Sequence, residues 1–201
     1  MSHHPPISAC YANSPDFEYM ADSDVNMSFK GNSMIARVPH SQHIKLTRTE
    51  EHFTFVRPDS HVNNILFGTL YIEHVGEGLV KNKKTGEVCV MDFKPEGSYG
   101  RSKHEIEAYV YRNEEEAKQK KNDKLKLLKI AGTWTGELKS WQMRDGKVVW
   151  NTEQLLWQCS SPQPANFEMN YRFVDFALQL NYIPDSLREK LPPTDSRFRP
   201  D

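Results

Sequence analysis

The chain has 201 residues, of which 37% are hydrophobic and 11% aromatic, and this is enough for one large domain with an apolar core. Its 26 basic and 27 acidic residues give a formal net charge of −1, which argues against a general nucleic-acid-binding protein because such proteins carry a clustered basic excess. No apolar run approaches the roughly 18 residues of a membrane span. The three cysteines (Cys10, Cys89 and Cys159) are odd in number and far apart in the sequence, which favours reduced thiols over a disulfide framework. We therefore predict a cytosolic protein that contacts membranes only peripherally.

The chain begins with the segment SHHPPISA, Ser2 to Ala9. Pro5 and Pro6 fix their own φ angles and bias His4 toward an extended backbone, so His3 and His4 stand on a stiff segment. Imidazole N–H groups that become cationic at mildly acidic pH suit an anionic target with several oxygens, such as a phosphate. The alternatives are an unstructured chain terminus and a surface pair without a role.

Three later segments alternate apolar and polar side chains with a period of two, which is typical of half-buried strands. The apolar sets are Ile44 and Leu46 in HIKLT, Cys89, Met91 and Phe93 in EVCVMDF, and Ile106, Ala108 and Val110 in EIEAYVY. Turn signals such as KGN, NKKTGE and RDGK recur between segments of this kind. The pattern predicts an antiparallel meander, folded as a barrel or a sandwich. Its apolar faces would line either a cavity or a packed core.

Two charged segments follow these strands. NEEEAKQKKND pairs Glu114 with Lys118 and Glu116 with Lys120 at i,i+4, but it is almost without apolar residues. We expect a solvated excursion there and not a packed helix. We interpret the basic segment KKNDKLKLLK as a polar loop that enters a strand at Leu127, in preference to a membrane-binding helix.

The sequence pattern changes near residue 160, where the link SSPQPAN is rich in residues that interrupt strands and helices. The following segment predicts an amphipathic helix against the outside of the sheet, because apolar residues recur at i, i+3, i+4 and i+7. These residues are Phe173, Phe176, Ala177 and Leu180. We therefore divide the chain into the barrel strands of 1–160 and a C-terminal helical segment of 161–201.

Other site chemistry has little support in the sequence. His40 and His43 in HSQH resemble a pair of metal ligands, as do His3 and His4, but positions i and i+3 on a strand point to opposite faces. No Cys or carboxylate stands at metal-ligand spacing, and neither a G-x-S-x-G motif nor a glycine-rich phosphate loop is present. We predict no catalytic residue, no metal and no cofactor.

Several segments together resemble the oxysterol-binding-protein-related family of lipid-transfer proteins. SHHPPISA is similar to the family signature through Ser2, His3, His4, Pro5, Pro6 and Ala9. The stretch from His61 to Gly97 resembles the family's central strands, with their Asn-x-x-x-Gly and Asn-x-x-Thr-Gly features. IAGTWTGEL (130–138) resembles its Gly-x-Trp strand, and FVDFALQLN and LPPTDSRFRPD resemble its C-terminal helix and the segment that follows. The resemblance covers nearly the whole chain, in order.

The resemblance implies an incomplete antiparallel β-barrel around an apolar tunnel, with an N-terminal lid and C-terminal helices. Such a tunnel holds a sterol or phosphatidylserine, or alternately phosphatidylinositol 4-phosphate. Exchange of the two lipids at membrane contact sites drives transport. The signature histidines, His3 and His4 here, would bind the phosphate of the inositol headgroup. The implied partners are thus lipid ligands and a cytoplasmic membrane surface, on the side of the endoplasmic reticulum.

The chain departs from the family pattern at both ends. It begins inside the signature and stops at Arg-Pro-Asp, so we expect a barrel truncated at both ends, mainly β with a few C-terminal helices. Such a chain would form an open sheet with one concave apolar face and two raw edges, and its lipid transfer would be impaired. The charged loop 113–124 is also longer than the family's usual turn. The alternative function is a non-transporting β-rich adaptor that binds a protein partner or a membrane surface.

Overall fold

The computed structural model describes residues 2–4, 7–96, 104–159, 167–170, 173–179 and 182–195. The chain divides into two compact units, Met1–Gln158 and Cys159–Asp201, and each is described by itself. The described strands all belong to the first unit, together with one short helix, and the described part of the second unit contains two short helices.

Fourteen strands occur among the described residues. In chain order they are β1 (Ser2–His4), β2 (Ile7–Asn13), β3 (Phe17–Asp24), β4 (Asn26–Lys30), β5 (Ser33–Arg37), β6 (Gln42–Leu46), β7 (Glu51–Val56), β8 (Asp59–Asn63), β9 (Tyr71–Asn82), β10 (Val88–Phe93), β11 (Glu105–Tyr111), β12 (Leu128–Thr133), β13 (Glu137–Arg144) and β14 (Lys147–Gln158). Helix α1 (Glu114–Lys118) and a 3₁₀ turn (Asp123–Leu125) lie between β11 and β12. Helices α2 (Asp175–Gln179) and α3 (Asp185–Arg188) belong to the second unit.

The strands pair antiparallel in one open sheet. Its main path runs β1–β2–β3–β6–β7–β9–β10–β11–β12–β13–β14, and β4, β5 and β8 branch from β9. Residues 71–75 of β9 pair with β8, whereas residues 76–81 pair with β10 and residues 79–82 with β7. Within the described residues β1 and β14 form the two ends of this path and do not pair with each other. The predicted mainly β fold, an incomplete antiparallel barrel, is therefore confirmed.

The strand register defines two faces of the sheet, because side chains alternate along a strand and directly paired residues share a side. We call one the α1 face, because Ala117 of helix α1 packs on it. Its members at the centre of the sheet are Leu79, Val88, Val90, Tyr109 and Tyr111. We call the opposite side the apolar face. Its central members are Cys89, Met91, Phe93, Ile106, Ala108 and Ile130, which form a second packed cluster.

The segment that begins at Asn113 is a packed helix, so the expectation of a solvated excursion is wrong. Ala117 is only 6% exposed and packs against Val88 and Tyr111 of the sheet. The Asn113 side chain accepts a hydrogen bond from the backbone N–H of Glu116, which caps the first turn. One small apolar residue is sufficient here because the sheet supplies the other apolar partners. The predicted strand entry is confirmed within one residue, since β12 begins at Leu128.

Two of the predicted turn signals adopt the backbone that their residues favour. In the KGN segment Gly31 has φ of 60° between β4 and β5. In RDGK, Asp145 and Gly146 have φ of 51° and 77° in the two-residue connection between β13 and β14. Positive φ at both central residues gives the turn a twist that matches the flanking strands.

The helix predicted in the second unit is present but begins later than expected. Helix α2 starts at Asp175, whose carboxylate lies in the first turn and favours a helix N-terminus. Phe173 therefore precedes the helix and is 54% exposed, and its predicted place in the helical stripe is wrong. The side chain of Phe176 and the whole of Leu180 lie outside the described residues, so the rest of that stripe stays a prediction.

Candidate functional site

The signature segment forms a hairpin at the rim of the sheet. The paired residues of β1 and β2 are Ser2 with Ala9, His3 with Ser8, and His4 with Ile7. The extended backbone predicted for His4 is confirmed. Pro5 and Pro6, which join the two strands, lie outside the described residues, as do the imidazole groups of His3 and His4. Phosphate binding by these histidines therefore stays a prediction.

The rest of the sheet holds this hairpin in place through β2. Strand β2 pairs with β3 along its whole length, from Ile7 opposite Asp24 to Asn13 opposite Glu18. The hydroxyl oxygens of Ser8 and Ser23 lie 2.6 Å apart, in hydrogen-bond contact. Among the described strands β1 pairs with β2 alone, so its backbone is attached on one side only. The signature thus stands at an open edge of the sheet.

The apolar face is continuous across the strands between this edge and the centre of the sheet. One row of directly opposed residues crosses five strands and consists of Phe55, Val80, Cys89, Val110 and Leu128. A second row, nearer the hairpin, consists of Tyr19, Ile44 and Phe53. The three sets predicted from alternation all belong to this face, which confirms them. Phe53 and Phe55 also belong to this face and were not predicted, although HFTFV alternates in the same way.

Part of the apolar face is open to solvent within the first unit. Phe17 and Ile44 are each 39% exposed, and Phe29 of β4 is 73% exposed. Met91, Ile106 and their neighbours are more enclosed and form the packed centre of the face. Aromatic and aliphatic side chains that remain this accessible on one face of a sheet are typical of a binding surface.

The α1 face carries charged pairs beside its small apolar cluster. Lys129 Nζ lies 2.8 Å from Glu107 Oε1, to which the Tyr109 hydroxyl also donates at 2.8 Å. Burial raises the pKa of Glu107, but the hydrogen bonds from Lys129 and Tyr109 outweigh it and lower the pKa overall. Lys81 pairs with Glu114 of helix α1 at 2.6 Å. In this part of the sheet the α1 face therefore carries paired charges, whereas the apolar face presents packed apolar side chains.

The Asn-x-x-x-Gly feature forms a compact loop between β8 and β9. Asn64 and Gly68 have φ of 61° and 95°, and the Asn64 amide donates to the Thr69 carbonyl at 2.9 Å. Asn32 reaches across from the β4–β5 turn. Its side-chain oxygen accepts from the backbone N–H of Leu66 at 2.8 Å. The feature therefore shapes a loop, because asparagine and glycine tolerate positive φ.

The Asn-x-x-Thr-Gly feature forms the turn between β9 and β10. Asn82 is 5% exposed, and its side-chain oxygen accepts from the backbone N–H of Lys84 at 3.0 Å. Its amide donates to Glu51 Oε1 of β7 at 2.9 Å. Gly86 has φ of 85°, and its N–H donates to the Asn82 carbonyl at 2.8 Å. Asn82 thus ties the turn to the neighbouring strand.

The Gly-x-Trp feature joins β12 to the packed centre of the apolar face. Gly132 stands opposite Ile106 and Leu138, where the backbone of β13 approaches too closely for a Cβ. Trp134 packs with the apolar cluster, and its indole contacts the rings of His74 and His104. The glycine permits the close approach of two strands, and the tryptophan closes one end of the apolar face.

Two further properties constrain the chemistry of the site. Within the described part of the chain, no helix is long and apolar enough to cross a membrane. Among the same residues, no group of three or more His, Cys, Asp or Glu side chains is placed to hold a metal ion.

The sequence is similar to known proteins over its full length. The sequence model of the family "Oxysterol-binding protein" matches residues 1–201. The human oxysterol-binding protein-related protein 3 is 33% identical over 202 residues, which cover 100% of this chain and 21% of that protein. The mouse oxysterol-binding protein-related protein 2 is 29% identical over 246 residues, which cover 100% of this chain and 49% of that protein. The chain thus spans between a fifth and a half of these relatives.

Solved structures are similar as well. The Osh3 ORD of Saccharomyces cerevisiae, in complex with PI(4)P, matches with a TM-score of 0.74 and 25% identity over 99% of this chain and 49% of that one. The Osh1 ORD domain in complex with ergosterol matches with the same score and identity over 99% of this chain and 48% of that one. The Osh1 ORD domain with cholesterol shares the fold, with a TM-score of 0.74. The chain belongs to the oxysterol-binding protein family.

Proposed function

We propose that the apolar face binds a sterol, or alternately the acyl chains of phosphatidylinositol 4-phosphate, and that His3 and His4 bind the phosphate of the second lipid. The observation that carries this proposal is the unbroken apolar row from Phe55 to Leu128, which includes Cys89 at its centre. The similar Osh3 and Osh1 structures contain PI(4)P and sterols, which supports the same ligand classes here.

Binding on this face is a matter of apolar burial. Each square ångström of apolar surface removed from water contributes about 25 cal/mol. Phe17 and Ile44 are still partly exposed, so a bound lipid would remove more of their apolar surface from water. Sterol and acyl chains would occupy the same face, so the two lipids compete. A protein that binds two lipids alternately exchanges them between membranes without covalent chemistry, and it therefore acts as a carrier and not as an enzyme.

Phosphate recognition would come from the signature hairpin. Both imidazoles offer N–H donors and can become cationic at mildly acidic pH, which strengthens their bonds to phosphate oxygens. The site would then act at the cytoplasmic surface of membranes, at contact sites with the endoplasmic reticulum. The competing lipid is a sterol or phosphatidylserine.

The test of phosphate recognition is a double variant, His3→Ala with His4→Ala, in binding assays with short-chain phosphatidylinositol 4-phosphate and with a sterol. We expect loss of phosphoinositide binding and unchanged sterol binding, because each charge-assisted hydrogen bond contributes about 1.5–3 kcal/mol. His40→Ala is the matched control, since His40 is exposed and pairs with Asp22. Unchanged phosphoinositide affinity in the double variant would refute the assignment.

We further propose that lipid transfer by the 201-residue chain is impaired. The described sheet is open, so a lipid on the apolar face remains exposed on its far side and keeps only part of its burial energy. Open edges and apolar patches also favour aggregation or a partner contact. We expect background rates of sterol transfer between liposomes. A monomer that extracts sterol or phosphoinositide at near-stoichiometric levels would contradict this.

A second candidate function, the non-transporting adaptor, is favoured by a separate observation. Leu66 and Phe67 are 74% and 71% exposed at the tip of the β8–β9 loop, which Asn32 holds in place. Fixed, exposed apolar side chains at a loop tip suit a protein partner. Lipid binding that survives Phe67→Ser, together with loss of a partner contact, would assign the two functions to different surfaces.

A further inference from the structure

Three basic side chains gather at one end of the apolar face. His74 of β9 and His104, just before β11, both contact the indole of Trp134, with ring centroids 5.0 Å and 4.5 Å away. Arg57 lies between Val56 and Asp59, which pair with Leu79 and Val75 of β9, so the register places it beside the same strand as His74. These residues come from three different parts of the sheet and are brought together by the fold. No short sequence motif contains them.

Two polar atoms of this cluster are buried without a partner. Nε of Arg57 and Nδ1 of His104 have no hydrogen bond to any described part of the chain. The third member is satisfied, because His74 Nδ1 lies 3.1 Å from the Ser60 hydroxyl. Buried polar groups in folded proteins are nearly always hydrogen-bonded, so two buried nitrogen atoms without a partner in one cluster require an explanation. A ligand that accepts hydrogen bonds would satisfy both.

The backbone at His104 is also unusual. Its φ is 66°, in the left-handed region that residues other than glycine rarely occupy. The N–H of Trp134 donates to the His104 carbonyl at 3.0 Å and holds this conformation. Non-glycine residues in such conformations occur preferentially at ligand sites, where the surrounding structure fixes them.

Two carboxylates near Arg57 and His74 in sequence are engaged in other contacts. Glu73 accepts hydrogen bonds from the Asn63 amide at 2.8 Å and from the Glu96 backbone N–H at 2.7 Å. Asp59 pairs with Arg37 at 2.7 Å. Burial first, and then the charges of Arg57 and His104, lower the pKa of His74. Positive charges held close together are stabilised by a nearby anion.

The cluster adjoins apolar side chains that could hold the tail of an amphiphile. The His74 ring meets Phe93 edge-on, with centroids 6.2 Å apart. Trp134 packs with the apolar side chains of Phe93, Ile106 and Ile130. An anionic head bound by the basic residues would therefore place its chain on the apolar face.

We infer that Arg57, His74 and His104 form an anion subsite for a phosphate group, borne by a lipid whose chains lie on the apolar face. The subsite is separate from the signature hairpin, because β2, β3, β6 and β7 lie between β1 and β9 in the sheet. The assignment to a lipid rests on the proposed function, whereas the anion subsite does not. Free inorganic phosphate presents the same oxygens and is the other source of the ligand.

The experiment compares three probes by calorimetry and by the histidine ring signals in NMR: inorganic phosphate, dihexanoyl phosphatidic acid and dihexanoyl phosphatidylcholine. We expect phosphatidic acid to bind most tightly and to shift the His74 and His104 signals. Loss of one charge-assisted hydrogen bond in Arg57→Gln weakens this binding about tenfold. Arg37→Gln, which removes the same charge from an exposed ion pair, leaves it unchanged. Equal binding of inorganic phosphate supports the anion subsite and overturns its assignment to a lipid.

A second variant keeps the test valid if Arg57→Gln does not fold. His104→Asn removes a basic group but keeps a residue that tolerates positive φ, and it is expected to weaken binding by a similar factor. The double variant His3→Ala with His4→Ala separates this inference from the proposed function. Retention of phosphatidic acid binding in that variant supports the new subsite. Its loss there, or full binding by both Arg57→Gln and His104→Asn, overturns it.

Discussion

The backbone carbonyl of Glu137 occupies the space that a Cβ on Gly132 would need. Gly132 has φ of 150° and stands in β12, directly opposite Ile106 on one side and Leu138 on the other. The close approach of β12 and β13 at this point depends on the missing side chain. The glycine of the Gly-x-Trp feature is therefore a packing requirement of the sheet.

Replacing Gly132 by alanine should destabilise the fold strongly. The new methyl group would collide with a backbone atom that cannot rotate away, so we expect a loss of more than about 2 kcal/mol in the free energy of unfolding. Urea denaturation measures it. Gly31→Ala is the control, because Gly31 also has a positive φ but has nothing within 4 Å of its Cβ position. Equal losses in the two variants would contradict this account.

Asn82→Ala should also destabilise the protein, by about 1–3 kcal/mol, because it removes both hydrogen bonds of a buried side chain. The side chain bonds to Lys84 N and to Glu51 Oε1, so the variant loosens both the turn and its tie to β7. Thermal and urea unfolding report the change. Asn151→Ala, at an exposed strand position, should stay within about 0.5 kcal/mol of the parent. A similarly small loss of stability in Asn82→Ala would show that these hydrogen bonds are not needed to stabilise the turn.

Much of this fold is predictable from local patterns. The alternation in EIEAYVY and EVCVMDF specified which residues face one side, because a period of two has a single consistent placement on a half-buried strand. Asp145 and Gly146 likewise specified a tight hairpin. These features depend only on neighbours in sequence, and the structure confirms them.

Other features depend on contacts that no local pattern contains. Helix α1 was missed because its only buried apolar residue is Ala117, and the rest of its apolar environment comes from Val88 and Tyr111 of other strands. The cluster of Arg57, His74 and His104 was missed for the same reason. Its members are separated by 17 and 30 positions in the chain, and only the pairing of β7, β9 and β11 with their neighbours unites them.

The packing of α1 gives a third prediction. Ala117→Asp would bury a carboxylate against Val88 and Tyr111, and we expect a loss of roughly 2 kcal/mol or more in the free energy of unfolding. Faster proteolysis within 113–126 should accompany it. Glu115→Asp, on the exposed side of the same helix, is the control and should change little. Should Ala117→Asp unfold like the parent protein, the helix is not docked as described.

Thiol reactivity offers a fourth prediction. Burial raises the pKa of Cys89 to about 11, so only about one thiol in a thousand is ionised at pH 8. Cys159 is exposed. In labelling with iodoacetamide followed by mass spectrometry, Cys159 should react first and Cys89 only after unfolding in urea. The variant Cys159→Ser should lose the fast phase. Rapid labelling of Cys89 in the native protein would show that the centre of the apolar face is open.

The central claim is that the apolar face, and not the α1 face, holds lipid, and photo-crosslinking with a diazirine-bearing sterol tests it most directly because covalent capture detects weak binding. Ile44 and Val56 make a matched pair, since they are 39% and 37% exposed on opposite faces of neighbouring strands. We predict crosslinks at apolar-face residues such as Phe53 and Met91, and unlabelled cholesterol should compete with them. Crosslinking should be lost in Ile44→Glu and should remain unchanged in Val56→Glu. Crosslinks on the α1 face, or equal effects of the two variants, would contradict the account.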